Sequence, residues 1–387
     1  MKPFTILRII LAGALIALSA PVAAQDKPTL TVYSYSSFVG KYGPGAKVKA
    51  AFEADCNCVV AFVSSDDAGS MLGRLKLEGE QTKADIVLGL DMNLAAEAKA
   101  ANLFAPHGQT LGGLSLPVAW SDDQLIPFDW GHLAFVYDST KLKSPPTSLR
   151  DLVDNPNGPK IVLQDPRTSA PGLGFLLWMQ SVYGDKAGDA WKKLKPRIVT
   201  FTKGWSEAYG LFLKGEADMV LSYATSPAYH IGAEKKTQYK AALFSEGHYA
   251  HVELAAATRV SKQPELAKKF LSFVLSDAFQ TLMPEGNWMP SPCLSSHHMP
   301  AGTRIETGIA ISQRTGSIRR ISRIVSGIDD SRKPSGSSAK ANAVRQTITT
   351  TGLVQCASFQ RAPKVGPPSV SAATMIVAAN AHIRMPV

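Results

Sequence analysis

Thr168-Ser-Ala-Pro-Gly-Leu-Gly-Phe175 lies between an apolar strand-like stretch and an apolar helix-like one. Ser169 or Thr168 can cap the helix, Pro171 suits its first turn, and the glycines leave backbone N–H groups uncovered. A free helix N-terminus of this kind attracts an anion, above all a phosphate. The segment lacks the Lys-Ser/Thr ending of a nucleotide-binding loop, so ATP hydrolysis is not expected. Lys203-Gly-Trp-Ser-Glu-Ala-Tyr209 has the same form: strand, glycine, then a helix for which Ser206 is the expected cap, with Trp205 at its mouth. Leu221-Ser-Tyr-Ala-Thr-Ser-Pro-Ala-Tyr229 ends a strand in a polar, aromatic loop. Tyr33, Tyr35 and Tyr42 add rings near the N-terminus, and Gly286-Asn-Trp-Met289 adds Trp288. An aromatic cleft with phosphate donors suits a flat cation that carries a phosphate, each ring over the charge contributing roughly 0.5–2 kcal/mol.

Catalytic constellations are sparse. His107, His132, His230, His248 and His251 are scattered, and strand alternation would send the close pair His248 and His251 to opposite faces. No Gly-x-Ser-x-Gly elbow and no His-Glu-x-x-His occur. Asp66-Asp67 reads as a solvated turn, although one carboxylate could accept from an exocyclic amine. Cys56 and Cys58 flank Asn57 without a second ligand cluster, so a metal site is not expected; they form either a short-range disulfide or two thiols.

Positioning these segments requires alternating strands and helices. Strands are expected at 29–35, 59–63, 84–90, 135–138, 161–164, 198–202, 217–223 and 251–258. Helices are expected at 44–54, 69–78, 173–183, 207–213, 264–273 and 276–283, with another capped by Asn93. That rhythm is an α/β layer with a largely parallel sheet. Extended crossovers near 126–137 and 248–258 divide it into two lobes with a ligand cleft between them.

The ends of the chain differ from this body. Met1 to Arg8 is basic, 9–20 is almost wholly apolar, and Val22-Ala23-Ala24 is small, which together make a signal peptide over residues 1–24 and an exported product. Residues 1–289 hold 29 Lys+Arg against 28 Asp+Glu, whereas residues 290–387 hold 12 against 3 and only one aromatic, Phe359. The net charge of +10 therefore belongs mainly to the tail and does not argue for a nucleic-acid partner. With no sustained period, that tail is expected to be disordered, and it reads as a shifted frame in preference to a natural extension.

Leu30-Thr-Val-Tyr-Ser-Tyr35, Phe52-Glu-Ala-Asp-Cys-Asn-Cys58, Lys83-Ala-Asp-Ile-Val-Leu-Gly-Leu-Asp91, Gln164-Asp-Pro-Arg-Thr-Ser169, the run from Lys203 to Glu216 and Gly286-Asn-Trp-Met289 together resemble the thiamine-binding periplasmic proteins of bacterial ABC importers. The resemblance covers residues 29–289. It implies a two-lobed type II periplasmic binding fold, with lobe 1 from 25–128 and 252–289, lobe 2 from 129–251, and the aberrant tail from 290–387. It implies no enzyme and no cofactor, but a monomer that traps thiamine, thiamine monophosphate or thiamine diphosphate and docks on a membrane permease with a cytoplasmic ATPase. Matching segments carry over Asp67, Ala68, Ser169, Ala170, Trp205 and the run Tyr223, Ala224, Thr225 and Ser226 as ligand residues, with Tyr35, Tyr229 and Trp288 as stacking partners. Asp67 would take the aminopyrimidine N–H; Ser169, Trp205 and Ser226 would donate to phosphate. The family's turn at Asp67 continues with Gly, so Ala68 requires a negative φ here. The family pattern stops at Pro290, which puts stability in question more than ligand identity. Alternatives are a ferric-ion or other small-cation binder of the same fold and, further off, a thiamine-cleaving enzyme, which would need a reactive cysteine in the cleft.

Overall fold

The computed structural model describes residues 26–294 and the backbone of residues 310 and 311. The expected signal peptide over 1–24 and nearly all of the expected tail lie outside the described residues. From the N-terminus run β1 (Thr29–Tyr35), α1 (Ser36–Val39), α2 (Gly45–Cys56), β2 (Val59–Ser65), α3 (Ala68–Glu78), β3 (Ile86–Asp91) and α4 (Ala95–Ala100). Then come β4 (Ile126–Asp138), α5 (Leu149–Asp154), β5 (Ile161–Gln164), α6 (Ala170–Tyr183), α7 (Ala187–Leu194), β6 (Ile198–Thr202), α8 (Trp205–Leu213), β7 (Met219–Tyr223) and α9 (Ser226–Glu234). The chain continues through β8 (Tyr239–Ala242), β9 (His248–Ala257), α10 (Pro264–Val274), α11 (Asp277–Gln280), α12 (Met283–Gly286) and the two-residue β10 (Ala310–Ile311).

The strands join in the order β2-β1-β3-β9-β4-β7-β5-β6, with β8 on β4 and β10 on β9. β1, β2 and β3 are parallel, as are β5, β6 and β7. β4 and β9 run antiparallel to each other, with β9 antiparallel to β3 and β4 to β7, and pass from one group to the other, while the short β10 lies parallel to β9. The first half of β4, from Ile126 to His132, pairs with β9, and the second, from Leu133, pairs with β7. One unbroken strand therefore serves both lobes. Core packing follows the same division: Leu30, Phe38, Phe52, Phe128, Phe270 and Phe279 cluster on one side, Phe135, Phe175, Trp178, Trp191 and Phe244 on the other.

Several local expectations need correction. The polar loop after β7 is short, because Ser226-Pro227 opens α9, where proline's fixed φ suits the first turn; Tyr229 is thus helical. α6 begins at Ala170, ahead of the apolar run from Leu173, with Ser169 at the N-cap position and Pro171 in the first turn, as its capping residues indicate. α8, by contrast, starts at Trp205 with Gly204, not Ser206, as its N-cap. Asn93 does not cap α4: its amide donates to Asp91 Oδ2, and Asp91 Oδ1 accepts the Leu94 N–H. The expected helix over 276–283 breaks into α11 and α12, Pro284 lying in the first turn of the second. Cys56 and Cys58 form a disulfide across Asn57, which closes α2 in a left-handed conformation (φ 49°). The described chain continues through Pro290 to Leu294. Pro290 O accepts from Trp130 N, Pro292 O from Ser115 N, and Ser291 Oγ bonds Gln280.

Candidate functional site

Strand ends from both lobes surround a cavity of about 480 Å³. Tyr35, the last residue of β1, lies at its base, where its hydroxyl donates to Glu253 Oε2 at 2.6 Å and accepts from Asn287 Nδ2 at 2.9 Å. Gly89 makes room for that ring: at φ 108° a side chain is already strained, and a Cβ would stand 2.2 Å from the Tyr35 ring. Glu253, on β9, is 6 % exposed. His251 lies between it and Asp91, with Nε2 3.4 Å from Glu253 Oε1 and Nδ1 3.6 Å from Asp91 Oδ2. Asn287 also donates to Asp129 Oδ2 at 2.6 Å.

The base of the cavity is therefore acidic. Burial alone would lower the His251 pKa, but Asp91 and Glu253 outweigh it and push it up to about 10. Burial, and then the charge of Glu253, holds the Asp129 carboxyl well above the usual carboxylate range. Burial raises the Tyr35 and Tyr223 hydroxyls well above theirs, with neighbouring carboxylates adding to it. Three carboxyl groups, Asp91, Asp129 and Glu253, gather here around one histidine, and this gives the cavity an acidic floor. Such a floor favours a cation above it.

Aromatic rings form the walls. Trp288 meets Tyr229 edge-on with centroids 5.6 Å apart, and Tyr42 meets Tyr229 at 6.4 Å. Trp288 has φ 59°, a costly conformation for a bulky residue that persists only where its surroundings over-determine it. Here they do: Asn287 is tied to Tyr35 and Asp129, Met289 is buried, and Pro290 is bonded to Trp130. Trp205 stacks on Tyr209 at 4.8 Å and donates its indole N–H to Ser222 Oγ at 2.8 Å.

Asp67 is tied in place by four donors. Oδ1 accepts from Ala68 N at 2.8 Å and Ala170 N at 3.2 Å; Oδ2 accepts from Ser169 Oγ at 2.8 Å and Trp205 N at 3.1 Å. Burial raises its pKa while these four bonds pull it back. Ala68 opens α3 and is not among the positive-φ residues, which meets the condition set for it. Gly204 permits the close approach of the two lobes here, since a Cβ would come within 2.6 Å of Asp66 O.

Of the residues expected at a site, Tyr35, Asp67, Ala68, Ala170, Trp205, Tyr223, Thr225, Ser226, Tyr229 and Trp288 line this cavity. Ser169 and Ala224 stand behind it, the first bonded to Asp67 and the second to His132 O. Ser226 Oγ bonds Ser222 and accepts from Tyr223 N. Ser206 faces Ser36, with the two hydroxyls 3.4 Å apart. Glu253, Asn287 and Lys41 were not anticipated, though all line the cavity. A lone acidic residue inside the apolar run of β9 was the available signal for Glu253.

Two α/β lobes, hinged on shared strands and enclosing an aromatic-walled cavity of small-molecule size, define a solute-binding protein of the type II periplasmic fold. The bacterial extracellular solute-binding protein family matches residues 38–281, and the chain belongs to that family, grouping with the thiamine-binding periplasmic proteins among its relatives. It is 58 % identical over 275 residues to the thiamine-binding periplasmic protein of Escherichia coli, covering 71 % of this chain and 84 % of that one. It is 56 % identical over 279 residues to the protein of the same name from Brucella abortus, covering 72 % and 84 %. A solved periplasmic thiamin binding protein superposes with a TM-score of 0.73 at 53 % identity, covering 78 % of this chain and 95 % of that one. These relatives are named as binding proteins, in keeping with a binding and not a catalytic role.

Proposed function

We propose that this protein captures thiamine, thiamine monophosphate or thiamine diphosphate in the periplasm and delivers it to an ABC importer. One observation carries the reading: the inter-lobe cavity sets Tyr35, Tyr229 and Trp288 around a negative base at Glu253. That is a receptor for a flat cation, and thiamine presents a thiazolium with an aminopyrimidine. The names of relatives at 58 % and 56 % identity point the same way. Residues 25–128 with 252–289 form lobe 1 and residues 129–251 form lobe 2; ligand contacts made to both at once bias the pair toward closure. The loaded monomer then docks on a permease driven by a cytoplasmic ATPase, after signal-peptide cleavage near Ala24.

A ferric-ion reading gains nothing from the geometry, because its tyrosines do not converge. The Tyr223 hydroxyl turns toward His251, whereas Tyr229 packs against Trp288. Titration calorimetry with thiamine, its two phosphates and ferric citrate decides the matter. Saturable binding of the thiamine compounds alone is expected; tight ferric binding without thiamine binding would refute the proposal.

A further inference from the structure

We propose that Asp67 stands in for the phosphate of a phosphorylated ligand, occupying the anion site between the two lobes so that the cleft closes on free thiamine as well as on its esters. The inference rests on reading the cavity as a thiamine site.

Asp67 leaves lobe 1 in the turn after β2, yet three of its four donors belong to the opposite lobe: Ser169 Oγ, Ala170 N and Trp205 N. Two of these are first-turn amides of α6 and α8. Helix N-termini carry partial positive charge and aim N–H groups at an anion. Two such ends converge on one carboxylate that is 7 % exposed. An ordinary N-cap spends its side chain on the N2 or N3 amide of its own helix. Asp67 instead accepts from Ala68, the first residue of α3, and from the donors across the cleft.

The same donors are the ones a ligand phosphate would seek. Asp67, Ala68, Ala170 and Trp205 all line the cavity, so a phosphate extending from the ring pocket arrives at Asp67. It then meets a site already holding a negative charge, and like charges held close in a low-dielectric setting oppose one another. The ester gains the charge-assisted bonds only by turning Asp67 away. Free thiamine brings no anion, and Asp67 closes the lobes for it. Asp67 thus levels the affinities of the charged and uncharged side arms and acts as a specificity-determining residue.

The test uses the full chain and two variants, Asp67→Asn and Asp67→Ala, titrated calorimetrically with thiamine and with thiamine monophosphate. The ratio of the thiamine Kd to the monophosphate Kd should rise roughly tenfold or more in both variants, as freed donors turn to the phosphate. Inorganic phosphate alone should raise the melting temperature of Asp67→Ala and leave the parent unmoved. A ratio unchanged in Asp67→Asn, or equal losses for both ligands, would overturn the inference and leave Asp67 a simple lobe contact. If Asp67→Ala does not fold, Asp67→Asn alone decides, since it keeps the side-chain shape and removes the charge. A parent chain that binds neither ligand overturns the thiamine reading itself, an outcome separate from these.

Discussion

Replacing His251 with Gln should lower stability and, more tellingly, change how stability depends on pH. The His251 side chain is 1 % exposed and stands 3.6 Å from Asp91 Oδ2 and 3.4 Å from Glu253 Oε1. At an effective dielectric near 20, unit charges at such a separation attract by roughly 5 kcal/mol. Desolvating the charges offsets much of that, and removing one partner of a buried pair typically costs about 3–5 kcal/mol. The folded pKa, about 10, exceeds the ordinary imidazole value of about 6.5. The sign follows: the stabilisation is complete below about pH 6.5 and is lost as pH rises through the folded pKa. Linkage puts the loss between pH 7 and 9 at roughly 2–3 kcal/mol, or about 4–12 °C of melting temperature at 2–4 °C per kcal/mol. Asp129, also facing Glu253, contributes a slope of the same sign to both proteins, and the raised Tyr35 and Tyr223 keep their protons through this range. Because the His251 charge also lowers the Asp129 pKa, the difference between parent and variant reports His251 together with its pull on Asp129. Calorimetric melts from pH 5 to 9 should show a wide gap at the acid end that narrows toward pH 9. Parallel curves, or a parent whose melting temperature is flat from roughly pH 7 to 9, would refute the charge assignment.

Asp129→Asn should stabilise the protein at pH 8, because it removes a carboxyl whose raised pKa makes folding less favourable as pH climbs above the ordinary carboxylate value, about 3.9. Its gain in melting temperature should vanish near pH 3.5, and a gain independent of pH would contradict the mechanism. Trp288→Gly should weaken thiamine binding by roughly 1–3 kcal/mol while barely changing the melting temperature, since glycine takes φ 59° without strain; calorimetry and a melt on the same sample check both halves. Trp205→Ala, by contrast, should lower both affinity and melting temperature, because this ring also stacks on Tyr209 and bonds Ser222; an unchanged melt would show that the stack contributes nothing. A chain ending at Leu294 should bind thiamine as tightly as the full chain, since every cavity residue precedes that point; titration of the shortened protein would show any loss.

The sequence by itself determined the alternation of strands and helices and the aromatic and capping character of the site. β5 runs from Ile161 to Gln164 and β6 from Ile198 to Thr202, as their apolar runs and flanking turns predict. Tyr35, Trp205 and Trp288 could be marked because rings in loops after strands, beside Gly and Ser, are poorly placed for a core. What the sequence could not determine was who partners whom across the cleft. Ser169 and the Trp205 amide read as donors awaiting a phosphate, and only the closed packing of the two lobes shows them turned to Asp67, which lies about a hundred residues from the one and further from the other. Glu253 and Asp129 lie in strands whose local pattern says only that they are buried. Their charge acquires meaning through β4 and β9, antiparallel hinge strands that set them beside His251, Asn287 and Tyr35. Periodicity is a local property and survives in the chain order, whereas the electrostatics of a cleft sum over groups that come together only in the tertiary structure.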